Sequence, residues 1–68
     1  MKLSARNQLP GAVVSIAKGP VSSMVKIDIG GGVIVTSAVT TETVEELGLA
    51  VGDKVAAVIK ASDVLIGK

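Results

Sequence analysis

From Val21 to Ile29 the chain alternates with a period of two. Val21, Ser23, Val25, Ile27 and Ile29 fall on one face, and Ser22, Met24, Lys26 and Asp28 on the other. Successive side chains of a pleated strand point to opposite faces, so this pattern predicts a half-buried antiparallel strand. Gly30-Gly31-Gly32 follows, and the alternation resumes from Val33 to Val39, with Val33, Val35, Ser37 and Val39 set against Ile34, Thr36 and Ala38. Three glycines in a row invite comparison with a phosphate-cradling loop. Such a loop needs a Lys-Ser/Thr pair and a following helix, and neither is here. A hairpin turn that requires positive φ accounts for them.

The rest of the chain falls in around that hairpin. Ala12 to Ala17 is aliphatic and rich in β-branched residues, bounded by Pro10-Gly11 before and Lys18-Gly19-Pro20 after, both read as turns. At Thr40 to Leu49 the pattern changes. Thr43 and Glu46 have capping-box spacing, acids come early, and Gly48 is a natural stop, which predicts a helix of one or two turns with Thr40 or Thr41 as alternative N-caps. Val51-Gly52-Asp53 turns the chain, Lys54 to Lys60 is a further aliphatic strand, and Ser62 to Ile66 alternates as a last one. Five short strands, with a small helix between the third and fourth, predict an all-β domain. The expected architecture is a small five-stranded OB-like Greek-key barrel formed by residues 1–68 as a single domain.

Size then presses on that fold. A chain of 68 residues buries only about 60% of its unfolded surface, and small domains usually need a disulfide, a metal or oligomerisation as a supplement. There is no Cys and no His, which removes disulfides and the common zinc and iron sites. Yet 49% of the residues are hydrophobic, the mean hydropathy is +0.66, and several strands are apolar on both faces. Burial against further copies of the same chain is the remaining supplement.

Composition also narrows function. Without His, Cys or Tyr the usual nucleophiles and proton shuttles are missing, so an enzyme is not expected. Glu42, Glu45, Glu46, Asp53 and Asp63 match no calcium-loop spacing. OB-type folds bind single-stranded nucleic acid through aromatic platforms and a basic groove. Here there is no aromatic residue, the net charge is +1, and the cations are scattered, which argues against nucleic acid. No apolar run approaches the roughly 18 residues that span a bilayer, and the N-terminus lacks a signal-peptide pattern, so the expected location is the cytoplasm, with no membrane partner.

What remains is a set of donors at strand and helix ends. Ser4-Ala5-Arg6-Asn7-Gln8 is the one dense polar run, and Arg with Ser suits a compact oxyanion better than a metal. Thr40, Thr41 and Thr43 stand at the helix start, and Lys60-Ala61-Ser62 at the junction of the last two strands. Each has a plain reading alone: a polar arm, a helix cap, a surface lysine, a turn serine. Brought together, they form a pocket of hydroxyl, amide and cationic donors without an acceptor carboxylate, which suits a small dianion.

Three motifs in order carry a resemblance over essentially the whole chain. They are Ser4-Ala5-Arg6-Asn7-Gln8-Leu9 followed by Gly11, Val44-Glu45-Glu46-Leu47-Gly48-Leu49 followed by Gly52, and Val58-Ile59-Lys60-Ala61-Ser62-Asp63-Val64. With these the chain resembles the molbindins, small cytoplasmic molybdate- or tungstate-binding proteins built from a single Mop domain. The free-standing storage type fits better than the related domains of transcription regulators and transport ATPases. The resemblance implies an OB-like barrel and a homo-oligomer, a hexamer arranged as a trimer of dimers, with oxyanion sites at subunit interfaces. It implies ligand contacts from Ser4, the Ala5 backbone and Arg6, from Thr40 and Thr43, and from Lys60, Ala61 and Ser62. Metal would enter only as the oxyanion, with no cofactor and no directly coordinating side chain. For a further site on the threefold axis, the Lys18-Gly19-Pro20 turn is one candidate, and an ordinary turn is the other reading.

Overall fold

A computed structural model of the chain describes residues 4–68. Four strands form one antiparallel sheet: β1 (Asn7–Lys18), β2 (Ser22–Asp28), β3 (Ile34–Thr40) and β4 (Lys54–Ile59), in the spatial order β3-β2-β1-β4. The helix α1 (Thr41–Leu47) connects β3 to β4, which returns to lie beside β1. The helix lies against β2 and β3 and buries Val44.

The hairpin expected around the three glycines is the β2–β3 pair. Gly30, Gly31 and Gly32 all have positive φ, at 95°, 62° and 77°. The Ile29 N–H donates to the Val33 carbonyl at 3.1 Å, and the Gly30 N–H to Asp28 Oδ1 at 2.8 Å. Alternation holds along β2: Ser23, Val25 and Ile27 are buried while Ser22, Met24 and Lys26 are exposed. Val13, Val25, Ile27, Val44 and Ala57 form the core, ringed by half-buried Leu9, Ile16, Ile29, Val35, Val39, Leu49 and Val55.

At Pro10-Gly11 the structure corrects the sequence reading. Both residues lie inside β1, which pairs Pro10 with Ala56 and Gly11 with Val55. Pairing with β2 begins only at Ala12, opposite Asp28. The first part of β1 therefore has a neighbour on one side alone, where a residue without an N–H is tolerated. Gly11 answers a close approach instead of a turn. A Cβ there would stand 2.5 Å from the Asp28 carbonyl oxygen and 2.9 Å from Ile27 Cγ2. Two residues on, a bulge between Val13 and Ser15 shifts the register with β2. The loop before β4 follows this bend: Val13 N–H donates to the Asp53 carbonyl at 2.9 Å, and Gly52 N–H to the Val13 carbonyl at 2.8 Å.

The fifth strand expected at Ser62–Ile66 is not formed. After β4 a single 3₁₀ turn spans Ala61–Asp63, and Val64–Lys68 is exposed, pairing with no strand. Alternation makes a segment competent for a strand, but a strand also needs an edge to pair with, and within one chain this segment takes none. Among the described residues the expected all-β domain is a curled open sheet of four strands with one helix. Its edges β3 and β4 are not joined, yet both line the same hollow on the concave face.

Candidate functional site

The pairing of β1 with β4 brings the first and third motifs together. Asn7 faces Ile59 and Gln8 faces Val58, so Ser4-Ala5-Arg6 enters β1 at the same end of the sheet where β4 leaves into Lys60-Ala61-Ser62. Ser4, Arg6, Lys60, Ala61 and Ser62 are exposed and Ala5 is half-buried. The Gln8 side chain donates from Nε2 to the Ala5 carbonyl at 3.2 Å, tying the arm back to the strand. Among the described residues the one ion pair joins Lys18 to Glu45 at 3.6 Å, so neither Arg6 nor Lys60 has a carboxylate partner there. Two uncompensated cations beside two hydroxyls leave an anion-attracting edge. The nearest acid in sequence is Asp63, at the last position of the 3₁₀ turn.

Thr40 and Thr43 are not part of that group. Thr40 ends β3 opposite Ser22, and Ser23 in turn lies opposite Lys18, the last residue of β1. The two threonines therefore stand at the end of the sheet away from Arg6 and Lys60. Twelve residues of β1 separate those ends, a contour of about 35 Å at strand rise, in a molecule whose longest dimension is 34 Å.

Local chemistry accounts for the second group. Thr40 has β-region dihedrals and its Oγ1 accepts the Thr43 N–H at 3.1 Å, making it the N-cap. Gly48, in the left-handed region at φ 60°, ends the helix. The capping-box spacing of Thr43 and Glu46 points to Thr43 as the cap, with Thr40 or Thr41 as alternatives. The structure corrects this, placing Thr43 inside α1 with Thr40 as the cap, and Thr41 has a different task. Thr41 Oγ1 donates to the Gly19 carbonyl at 2.7 Å and lies 2.8 Å from Ser23 Oγ. A hydroxyl has one proton, so Ser23 is the donor to Thr41. Ser23 is also the one fully buried polar side chain among the described residues, and the Thr41 N–H donates to the Val21 carbonyl at 2.9 Å. This chain of hydroxyls fixes the start of α1 to the β1–β2 turn. Sequence reasoning places Ser23 on the apolar face without a role; a lone serine among valines on that face is the available signal.

Lys18-Gly19-Pro20 closes the turn between β1 and β2, with the Gly19 N–H donating to the Ser22 carbonyl at 3.0 Å. The hollow on the concave face is apolar and is lined by neither Arg6 nor Lys60. Among the described residues no cluster of three or more His, Cys, Asp or Glu could hold a metal ion, and no helix is long and apolar enough to cross a membrane.

Comparison with known proteins places this geometry in a family. The TOBE domain family matches residues 3–66. A probable molybdenum-pterin-binding protein of Haemophilus influenzae is 54% identical over 67 residues, covering 98% of this chain and 97% of that protein. Molybdenum-pterin-binding protein 2 of Clostridium pasteurianum is 47% identical, with 97% of each covered. Among solved structures, MopII from Clostridium pasteurianum superposes with a TM-score of 0.92 at 45% identity, over 98% of this chain and all (100%) of that one. A molybdate-bound form of the cytoplasmic molybdate-binding protein ModG superposes at 0.90 with 49% identity, over 96% of this chain and 46% of that protein. With its whole length matched at this identity, the chain belongs to the TOBE domain family and, within it, to the molybdenum-pterin-binding (Mop) proteins, the molbindins.

Proposed function

We propose that this protein binds molybdate or tungstate as an intact oxyanion and stores or buffers it in the cytoplasm, at sites completed between copies of a homo-oligomer. The observation that carries the reading is the β1–β4 register, which puts Arg6 and Lys60 at one exposed sheet end with no carboxylate partner among the described residues. Ser4, the Ala5 backbone, Ala61 and Ser62 surround them. Relatives named for molybdenum-pterin binding, and a relative with molybdate bound, support the ligand class.

Arg6 and Lys60 offset the dianion's charge, and hydroxyl and N–H donors surround its oxygens. Hydrogen bonds to a charged group contribute about 1.5–3 kcal/mol each, so four or five outweigh the loss of hydration. Thr40 and Thr43 belong to the other end of β1 by register, and in this reading their contribution comes from a neighbouring subunit. The assembly we propose is a hexamer built as a trimer of dimers. Size selects against sulfate, and the proton on phosphate at neutral pH finds few acceptors. The role is binding, with no catalytic step.

A second reading, a protein-interaction module with a vestigial anion pocket, is favoured by the eleven large hydrophobic side chains left exposed among the described residues. Isothermal titration of anion-stripped protein with molybdate and with sulfate separates the two. Saturable binding of molybdate with little or no sulfate binding supports the storage reading. No heat with either anion leaves the interaction module.

A further inference from the structure

Ser23 needs a partner where it stands. It lies on the same face of β2 as Val25 and Ile27, with 1% of its surface exposed. A buried hydroxyl has to be hydrogen-bonded to offset its lost hydration, and an alanine would fill the place without that demand. The partner is Thr41 Oγ1 at 2.8 Å, which donates onward to the Gly19 carbonyl at 2.7 Å. A carbonyl has no proton to give, so the chain runs one way, from Ser23 through Thr41 to Gly19. Beside it the Thr41 N–H donates to the Val21 carbonyl at 2.9 Å. Thr41 is thereby held by its backbone and its side chain together.

What this hold positions is the adjacent pair of hydroxyls. Thr40 directly precedes Thr41, and its Oγ1 accepts the Thr43 N–H at 3.1 Å and lies 2.8 Å from Thr43 Oγ1. The other ties between α1 and the sheet are less directional. Val44 makes an apolar contact, and the Lys18–Glu45 pair spans 3.6 Å between side chains that are 51% and 63% exposed, open to screening by salt. We propose that Ser23 and Thr41 are positioning residues of the oxyanion site: neither touches the ligand, and their hydroxyl chain sets where the Thr40–Thr43 pair aims its outward O–H. The inference rests on the function proposed above, in which that pair serves a site shared with a neighbouring subunit. Hydrogen bonds weaken steeply with distance and angle, so the groups that lock a donor's direction govern affinity.

Molybdate titration, thermal melts and sedimentation of one set of full-length variants test this. Thr41→Val keeps the shape of the side chain and removes the hydroxyl, whereas Thr41→Ser keeps the hydroxyl and removes the methyl. Thr41→Val is expected to stay assembled and to bind molybdate about tenfold more weakly, the low end of what losing a bond that orients a ligating group costs. Thr41→Ser should bind within about twofold of the parent, because the hydroxyl and both its bonds are kept. The double variant Ser23→Ala with Thr41→Val strands no buried hydroxyl, so it should melt higher than Thr41→Val while binding no better. Where Thr41→Val does not fold, the double variant carries the measurement. An assembled Thr41→Val or double variant with parental affinity overturns the inference, as does affinity that follows the thermal midpoint across the set or is lost only with assembly. A parent that binds no molybdate refutes the storage function and this inference with it. A binding parent with indifferent variants refutes the positioning role alone.

Discussion

The hydroxyls of Thr40 and Thr43 lie 2.8 Å apart, while Thr40 Oγ1 also accepts the Thr43 N–H. One of the two hydroxyl protons is spent between them, so the pair can present a single O–H outward. The helix cap and the anion donor proposed here are thus the same group of atoms.

That dual use can be separated by substitution. Thr40→Ala should lower stability by about 1 kcal/mol through loss of the N-cap and weaken molybdate binding as well. Thr40→Asp retains the cap and should keep the thermal midpoint near the parent's, yet its carboxylate repels a dianion. Calorimetric melting beside anion titration checks both. A Thr40→Asp variant that binds molybdate like the parent removes Thr40 from the site.

Arg6 and Lys60 should each be needed for binding. Arg6→Ala and Lys60→Ala are expected to weaken molybdate affinity at least tenfold, the loss of about 1.4 kcal/mol or more that a charged hydrogen-bond partner supplies. Arg6→Lys should also weaken it, because charge is restored without the planar pair of donors. Lys26→Ala, on the outer face of β2, should leave affinity unchanged. Sedimentation of the same variants shows whether a loss reflects the site or the assembly. An assembled Arg6→Ala variant with parental affinity refutes the assignment.

Gly11 sits at a tight backbone crossing. Gly11→Ala drives a methyl group to within 2.5 Å of the Asp28 carbonyl, an overpacking that costs about 1–3 kcal/mol. For a domain of this size each kcal/mol moves the midpoint by about 4–8 °C. Gly67→Ala, whose added Cβ meets nothing within 4 Å, is the matched control. Thermal unfolding of both at one protein concentration decides it, and equal midpoints contradict the crossing.

The Ser23–Thr41–Gly19 chain should behave as a unit. Thr41→Val leaves the Ser23 hydroxyl buried without its acceptor and should cost about 1–3 kcal/mol. Ser23→Ala should cost less, because Thr41 keeps its bond to the Gly19 carbonyl. The double variant should then be less destabilised than the sum of the two singles, since the stranded hydroxyl is gone. Denaturant melts of all four proteins give the coupling, and strict additivity would show that the chain does not act together.

Local order is written in the sequence itself. Alternation over Val21–Ile29, the three glycines and the Thr and Gly around Thr41–Leu47 each act on neighbours a few residues away, and so they predict the hairpin and the capped helix. The strand Lys54–Ile59 follows from the same pattern. These are effects of side-chain period, positive φ and backbone groups satisfied nearby, and they need no knowledge of distant contacts.

Tertiary structure decided the rest. Pro10-Gly11 reads as a turn by local rules but lies within β1, because one side of the strand is vacant there and Asp28 crosses too near for a Cβ. Val64–Ile66 has a strand's alternation but no strand, because pairing depends on an available edge and not on the segment. The candidate residues divided for the same reason. Register brought Arg6 and Lys60 together across more than fifty residues of chain, and placed Thr40 and Thr43 at the opposite end of the sheet. Long-range strand pairing sets those distances, and it is a property of the whole sheet that no short stretch of sequence contains.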